Sequence, residues 1–347
     1  MRIHLGHHFY GAGNLGDDFM LAGFLAALRV SAPEARLTCC VPFAREPLAR
    51  RFPEIEWLAY DETTRTRAWE ECDVWLGLGG SPFQSAQSRW FVDHLVEEAA
   101  GCERYERPMF FLGVGVQTAT ELENRDVQGV CGKAAGIWTR DEASAERIGA
   151  MAAAPPVSAA ADLAHIYFRG TRPPAAAKGR LTLVANFDYG SWESQGAGLR
   201  ALEGMAATEW VWLAQETREL AGAERALWGG LTVAEQKRWR LVVPERAGEA
   251  LPEVMAGWPS GEWLVTARYH AAIAGAWAGS KIVILATNEK LRGVAKELGV
   301  ALVDLRAEGS SLAAAVAAAE IVGKPHARAE VAQAAVAAFV QASGCYV

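Results

Sequence analysis

The stretch that decides the fold is GAGNLG at Gly11–Gly16. It follows a short apolar run near the amino terminus and precedes a helical pattern, in the order strand, glycine-rich turn, helix. The same alternation of strand-like and helical patterns continues along the first half of the chain. Such an alternation predicts a parallel sheet with helices on both faces.

The G-x-G-x-x-G spacing is also the fingerprint of dinucleotide-binding loops, but two features argue against that function. A pyrophosphate would lie at the helix N-terminus, where Asp17 and Asp18 would compete with it for the positive end of the helix dipole. An acid that binds the ribose is expected roughly 20 residues later, and the predicted strand Arg36–Val41 ends without one. Two interpretations stay open: a tight turn capped by Asn14, and a catalytic loop that presents the two aspartates.

Length and a linker together predict two domains. The chain has 347 residues, and residues 169–179 have the Pro- and Gly-containing composition of a linker. The strand–helix alternation restarts after it. The sequence therefore predicts an α/β protein with two Rossmann-like parallel-sheet domains that face a cleft, an architecture that resembles the GT-B glycosyltransferases. The expected domains are residues 1–170 and 178–325, followed by a C-terminal helix within 326–347 that could pack back on the first domain.

The predicted strands come from short apolar runs bounded by turn residues. In the first half they are Ile3–His7, Arg36–Val41, Ile55–Ala59, Val74–Leu78, Met109–Val114 and Gly136–Thr139. In the second half they are Arg180–Phe187, Trp210–Leu213, Arg240–Val243, Glu262–Val265, Lys281–Leu285 and Val300–Val303.

The composition argues against several functions and locations. A net charge of −7 gives no support for nucleic-acid binding. The sequence has neither an 18-residue apolar run nor a signal peptide, so we expect no transmembrane segment and a cytoplasmic location, with peripheral association at the inner membrane face as the alternative. The six cysteines form no C-x-x-C pair, which favours buried reduced thiols over zinc or disulfides.

Several polar groups follow predicted strands, where open α/β sheets bind their ligands. In the first half these are the turn at Gly77–Ser81, in which the missing Cβ atoms let a ligand approach the backbone, and Arg140, for which a salt bridge with Asp141 is the simpler alternative. In the second half, Arg268 and His270 begin a helix of small residues, a place that can hold an anion and set a histidine beside it.

These stretches, taken in order, resemble the polysaccharide pyruvyl transferase family over almost the whole chain. The matching stretches are GAGNLGDD (Gly11–Asp18), GLGGS (Gly77–Ser81), TRDEAS (Thr139–Ser144), DLAH (Asp162–His165), RYHA (Arg268–Ala271) and NEK (Asn288–Lys290). The sequence departs from the family pattern at Asp18, where Glu is usual, and at Leu163 and His165, where Pro and Phe are usual. The Trp-rich region from Trp210 to Trp258 has no counterpart, so the identity of the acceptor stays open.

The resemblance implies an enzyme that transfers the pyruvyl group of phosphoenolpyruvate to two hydroxyls of a sugar in a cell-surface or exopolysaccharide precursor, which forms a cyclic ketal. It implies His270 as the general acid and Asp17 or Asp18 as the group that orients or deprotonates the sugar hydroxyl. The donor-binding residues that it implies are Arg140, Arg268 and Lys290. The residues expected at the acceptor or in adjacent loops are Asn14, Gly79, Gly80, Ser81, Asp188 and Trp192.

The expected partners are phosphoenolpyruvate and a saccharide acceptor, which could be lipid-linked; no metal or organic cofactor is expected, and homo-oligomerisation is left open. Two other functions remain. One is a nucleotide-sugar glycosyltransferase of the same architecture, which needs a ribose-binding acid for which Glu289 is a candidate. The other is a non-catalytic carbohydrate-binding protein that kept the fold. The expected proton donor His270 and two expected anion-binding arginines argue against a non-catalytic protein, because a binding module needs no proton donor.

Overall fold

The computed structural model describes residues 1–84, 89–186, 199–216, 224–244, 248–305 and 311–344. The chain divides into two compact units. The first unit consists of Met1–Ala12, Asp17–Tyr167 and His326–Val347, and the second consists of Gly13–Gly16 and Phe168–Pro325. The four residues Gly13–Gly16 thus group with the second unit, although their neighbours in sequence belong to the first.

The first unit contains a seven-stranded sheet in which all neighbouring strands are parallel. Its strands are β1 Arg2–Leu5, β2 Arg36–Val41, β3 Ile55–Ala59, β4 Val74–Leu78, β5 Met109–Val114, β6 Ala134–Thr139 and β7 Val157–Ala159. Their order in the sheet is β3-β2-β1-β4-β5-β6-β7. Every residue of β4 and β5 is buried, which is typical of parallel strands covered on both faces.

Helices connect the strands of this unit. They are α1 Leu15–Ser31, α2 Arg45–Arg51, α3 Glu62–Glu71, α4 Trp90–Arg104, α5 Arg125–Gly132, α6 Glu142–Gly149 and α7 Ala164–Gly170, with a 3₁₀ turn at Ala119–Glu123. The last helix of the chain, which we label α14, covers His326–Gly344 and also belongs to this unit. The ring of Phe339 on α14 contacts Phe24, Phe110 and Trp138, so the terminal helix completes the hydrophobic core.

The second unit contains a six-stranded parallel sheet. Its strands are β8 Ala177–Val184, β9 Glu209–Leu213, β10 Arg240–Val242, β11 Gly261–Thr266, β12 Lys281–Leu285 and β13 Ala301–Val303. Their order is β10-β9-β8-β11-β12-β13. Its described helices are α8 Glu224–Gly229, α9 Val233–Arg238, α10 Leu251–Ala256, α11 Tyr269–Ala278, α12 Glu289–Leu298 and α13 Leu312–Ala318, with a 3₁₀ turn at Ala201–Gly204.

Both sheets reverse their strand order beside the first strand of the unit. In the first sheet β1 lies between β2 and β4, and in the second sheet β8 lies between β9 and β11. Where the order reverses, the connections leave in opposite directions and open a crevice at the carboxyl ends of the strands. The opening loop and the turn after β4 follow strands at the first crevice, and Arg268 follows a strand at the second.

The predicted fold class, two Rossmann-like parallel-sheet domains, is confirmed. Each predicted strand corresponds to one of the observed strands β1–β6 or β8–β13. The sequence analysis missed β7, which has three residues, two of them exposed, and β8 begins inside the predicted linker. The helix α14 falls in the predicted C-terminal segment. No helix among the described residues is long and apolar enough to cross a membrane.

A close approach of α1 to α7 generates a stability prediction. A Cβ atom at Gly23 would lie 1.9 Å from the Leu163 carbonyl oxygen, whereas one at Gly129 on α5 would meet nothing within 4 Å. Gly23→Ala should therefore lower the free energy of unfolding by about 1–3 kcal/mol, and Gly129→Ala should leave it unchanged or raise it by up to about 1 kcal/mol. Urea unfolding of both variants tests this; equal effects would contradict it.

Candidate functional site

Arg140 lies at the carboxyl edge of the first sheet, directly after β6, and is almost completely buried. Its Nη1 donates to the Gly80 carbonyl at 3.3 Å, and its Nη2 donates to the Ser81 hydroxyl at 3.0 Å. The Asp141 carboxylate lies 3.6 Å from Nε. The structure thus brings together Arg140 and the glycine-rich turn, which are 59 residues apart in sequence.

Glycines make room for this arginine and shape the turn beside it. A Cβ atom at Gly115 would lie 2.4 Å from Arg140 Nη2. Gly79 and Gly80 have φ angles of 71° and 77°, a backbone conformation that side chains other than glycine rarely adopt. The turn after β4 therefore meets Arg140 with a backbone carbonyl, that of Gly80.

Other residues of the matched stretches have supporting roles. Asp141 caps α6 by accepting from the Ser144 backbone N–H at 2.7 Å. The Ser144 hydroxyl accepts from the Val116 N–H at 2.9 Å and so ties the loop after β5 to this helix. Asp162 accepts from the Ala164 N–H at 2.9 Å at the start of α7. The TRDEAS and DLAH stretches therefore hold the local backbone in place.

The two aspartates of the opening loop differ in their surroundings. Asp18 is buried, and its carboxylate accepts from Arg51 Nη1 at 2.6 Å and from the Gly11 N–H at 3.1 Å. Asp17, in the same first turn of α1, is half-buried. The ion pair and the backbone hydrogen bond of Asp18 favour a structural role for this carboxylate.

Histidines at the carboxyl end of β1 were not considered in the sequence analysis. Burial lowers the pKa of both His7 and His8 to about 3, so both are neutral near pH 7. The His8 ring packs against Tyr60, Trp90 and His94, with centroid separations of 4.8, 5.2 and 4.2 Å. Because they are neutral, His7 and His8 cannot act as imidazolium acids near pH 7.

In the second unit, the opening loop contacts the segment that follows β9. The backbone of Asn14 forms an antiparallel bridge with Glu216. The Asn14 side chain accepts from the Gly16 N–H at 3.1 Å, which is the local turn that the sequence predicted as one of two interpretations of this loop. This segment is thus held both by the Asn14 side chain and by the backbone bridge to Glu216.

Gly16 lies directly against His270, in the first turn of α11. A Cβ atom at Gly16 would lie 2.0 Å from His270 Nδ1. His270 is buried, and its ring meets the Tyr269 ring edge-on with centroids 5.3 Å apart. Lys290 Nζ lies 5.1 Å from the centroid of the same tyrosine ring. The structure therefore brings together the opening loop, His270 and Lys290, from three of the matched stretches.

Arg268 immediately precedes α11, and two carboxylates bind its guanidinium. Nε donates to Glu224 at 2.6 Å, and Nη2 donates to Glu216 at 2.5 Å. The backbone N–H of Arg268 donates to the Thr266 hydroxyl at 2.9 Å. The sequence analysis missed both glutamates, because they lie 52 and 44 residues before the arginine and belong to no matched stretch.

Glu224 is the strongly perturbed acid of this cluster. Burial raises the pKa of its carboxyl from 4.5 to about 7, while the positive charge of Arg268 acts in the opposite direction. Its carboxylate also accepts from the Glu216 N–H at 3.0 Å. A buried carboxyl that titrates near neutral pH beside an arginine is a common feature of functional sites.

The predicted site residues therefore fall into two groups. Arg140, Gly80 and Ser81 meet in the first unit, whereas Asn14, Arg268, His270 and Lys290 are in or beside the second sheet. The assignment of Arg140 and Arg268 to donor binding stays a prediction. Asp188 and Trp192 lie outside the described residues.

Comparison with known proteins adds to the description of the fold. No family model and no curated protein matches the chain. Among solved structures, it is similar to Anabaena HepE in complex with UDP-glucose, with 13% identity, 98% of this chain and 94% of that chain covered, and a TM-score of 0.60.

Two sugar-nucleotide enzymes have a similar fold. The UDP-GlcNAc 2-epimerase of Methanocaldococcus jannaschii has 10% identity and a TM-score of 0.62, with 98% and 99% of the two chains covered. The enzyme of Neisseria meningitidis bound to UDP-GlcNAc has 10% identity and a TM-score of 0.60, with 98% and 100% covered. At these identities the likeness establishes a GT-B-like fold alone.

The raised pKa of Glu224 predicts a pH-dependent stability. Because the folded-state pKa of about 7 lies above the ordinary 4.5, folding disfavours the ionised carboxyl, and wild-type stability falls as the pH rises through this interval. Between pH 5 and pH 8, the free energy of unfolding of Glu224→Gln relative to wild type should increase by about 2–3 kcal/mol.

Urea unfolding at both pH values measures this difference. Glu209→Gln is the matched control, because Glu209 also pairs with two arginines, Arg180 and Arg240, but is partly exposed. This control should show no such increase. A difference between Glu224→Gln and wild type that does not change with pH would contradict the prediction.

Proposed function

We propose that the protein is a sugar-modifying transferase, and that its donor is phosphoenolpyruvate. The observation that carries this proposal is the packing of Gly16 against His270. His270 lies two residues after Arg268 in the chain. This packing joins the first and the fifth of six stretches that resemble polysaccharide pyruvyl transferases. The GT-B-like fold, which is shared with enzymes that bind UDP-sugars, is compatible with a sugar acceptor.

In this proposal the cationic side chains bind the donor. Phosphoenolpyruvate carries a phosphate and a carboxylate, and arginine can bind either of them through two parallel hydrogen bonds. Arg140 and Arg268 supply these contacts, and Lys290 adds a positive charge near Tyr269. Arg140 is held in place by the carbonyl of Gly80 and the hydroxyl of Ser81, which limits the rotamer entropy lost on binding.

His270 supplies the proton in the proposed reaction. Protonation of the methylene carbon produces an oxocarbenium-like centre, and a sugar hydroxyl attacks it. Attack by a second hydroxyl with departure of phosphate then closes the cyclic ketal. Asp17 or Asp18 is the carboxylate that accepts a hydroxyl proton; Asp18 would have to do so while it is paired with Arg51.

A nucleotide-sugar enzyme is the second candidate, and the fold comparison favours it. Structures of the same fold hold UDP-glucose or UDP-GlcNAc. The acid considered for ribose binding, Glu289, lies at the start of α12 and pairs with Arg292 at 3.0 Å while half-exposed. In this function His270 and Arg268 would face a diphosphate instead of phosphoenolpyruvate.

One assay separates these candidates. The protein is incubated with phosphoenolpyruvate or with UDP-glucose and UDP-GlcNAc, each with a panel of sugars, and release of phosphate or UDP is measured together with the product mass. We expect phosphate release and a pyruvylated sugar. Release of UDP without phosphate would replace the first candidate with the second.

A histidine variant tests the proposed chemistry. His270→Gln should lower turnover at saturating donor by roughly 10²–10⁴-fold, the usual contribution of general acid catalysis, with little change in donor affinity. His326→Gln is the matched control, because His326 is exposed at the start of α14 in the first unit. Turnover of His270→Gln within a few-fold of wild type would exclude His270 as the acid.

A further inference from the structure

Arg268, which is proposed to bind the donor, is already paired with two carboxylates of the protein. Arg268 contacts Glu216 and Glu224 through different nitrogens of its guanidinium. The Glu224 side chain is completely buried, and those of Glu216 and Arg268 are 7% and 13% exposed. An anion that reaches this guanidinium therefore meets two acceptors already bound to it.

The charge of this cluster depends on a single proton. With both carboxylates ionised, one arginine and two glutamates carry one net negative charge, which repels an anion. When one carboxyl is protonated, the cluster is neutral while the guanidinium keeps its full charge. Because Coulomb interactions are strong at short range in a poorly solvated site, this difference of one charge acts directly on an anionic ligand.

We propose that Glu216 and Glu224 are positioning residues that hold the Arg268 guanidinium for an anionic donor, and that the donor binds with uptake of one proton by Glu224. The inference rests on the proposed function, because it places the donor anion at Arg268. It goes beyond that function by assigning a proton-linked role to two residues outside the matched stretches.

The surroundings identify Glu224 rather than Glu216 as the carboxyl that takes up the proton. Among the described residues, the charged groups that act on it most strongly are Arg268, just before α11, and Glu216, in the segment after β9. Burial raises its pKa to about 7, and a second negative charge from the donor raises this pKa further. Well below pH 7 Glu224 is mostly protonated before the donor binds, so that proton uptake on binding is expected mainly at higher pH.

The hydrogen bonds around Glu224 support its role in positioning Arg268, in addition to its effect on the charge of the cluster. The Glu224 carboxylate accepts from the Glu216 N–H at 3.0 Å, and the Trp212 indole donates to the Glu224 carbonyl at 2.8 Å. These bonds fix the carboxylate from its own backbone and from β9. Arg268 is therefore held by groups that are themselves immobilised, an arrangement that keeps a binding side chain in one orientation.

Calorimetry of the whole protein tests the inference. Phosphoenolpyruvate and UDP are titrated separately at pH 6 and pH 8, in two buffers of different ionisation enthalpy, so that proton uptake is measured directly. For the anion that binds, we expect uptake of about one proton at pH 8 and much less at pH 6. At pH 8, the dissociation constant of wild type should be about tenfold larger than that of a protein in which Glu224 is always neutral.

Proton uptake measured in two variants shows whether Glu224 is the group that binds the proton. Glu224→Gln should bind without proton uptake at pH 8 and about tenfold more tightly than wild type. Glu209→Gln, which alters another glutamate paired with two arginines in the same unit, should keep the wild-type uptake. The wild-type measurement needs no variant, so a poorly folded Glu224→Gln does not remove the test.

The outcomes distinguish this inference from the proposed function. Binding of phosphoenolpyruvate without proton uptake at pH 8, or uptake that persists in Glu224→Gln, would overturn the inference alone. Proton-linked binding of UDP without turnover of phosphoenolpyruvate would support the inference and reject the donor. Failure of both anions to bind would overturn both.

Discussion

The candidate site depends on how closely the backbone can approach two functional side chains. Gly16 leaves room for the His270 ring and Gly115 leaves room for the Arg140 guanidinium, and in each place a single Cβ atom would overlap the side chain. Gly115 directly follows β5, and Gly16 lies in the first turn of α1, so these glycines determine how closely the backbone can approach each side chain. The glycines of the motifs therefore meet a packing requirement.

The two arginines of the site illustrate two ways to keep a buried cation. Arg140 donates to the Gly80 carbonyl and the Ser81 hydroxyl, and the Asp141 carboxylate lies 3.6 Å from its Nε. Arg268 donates to two acids at hydrogen-bond distance. Burying a charge without partners is costly, and both arginines have partners within their own unit. The acids that bind Arg268 oppose its charge more strongly than a carbonyl or a hydroxyl would, although the sequence motifs treat the two arginines alike.

Most of the fold could be predicted from the sequence, because buried parallel strands are read as apolar runs between turn residues. The exception, β7, has three residues, of which the last two are exposed, so it carries little apolar signal. Within the site, residues next to strand ends were found by position, but their partners were not. Arg51 beside Asp18 and the glutamates beside Arg268 are distant in sequence, and only the chain's tertiary path brings them into contact.

The terminal helix α14 has a consequence for the order of events during synthesis. Phe339 packs on Phe24 and Phe110, yet the ribosome makes it after the entire second unit. The second unit needs only Gly13–Gly16 from outside its own continuous stretch, so its sheet can assemble while the first unit still lacks a wall of its core. Until α14 is made, the rings of Phe24, Phe110 and Trp138 lack the cover that Phe339 later provides.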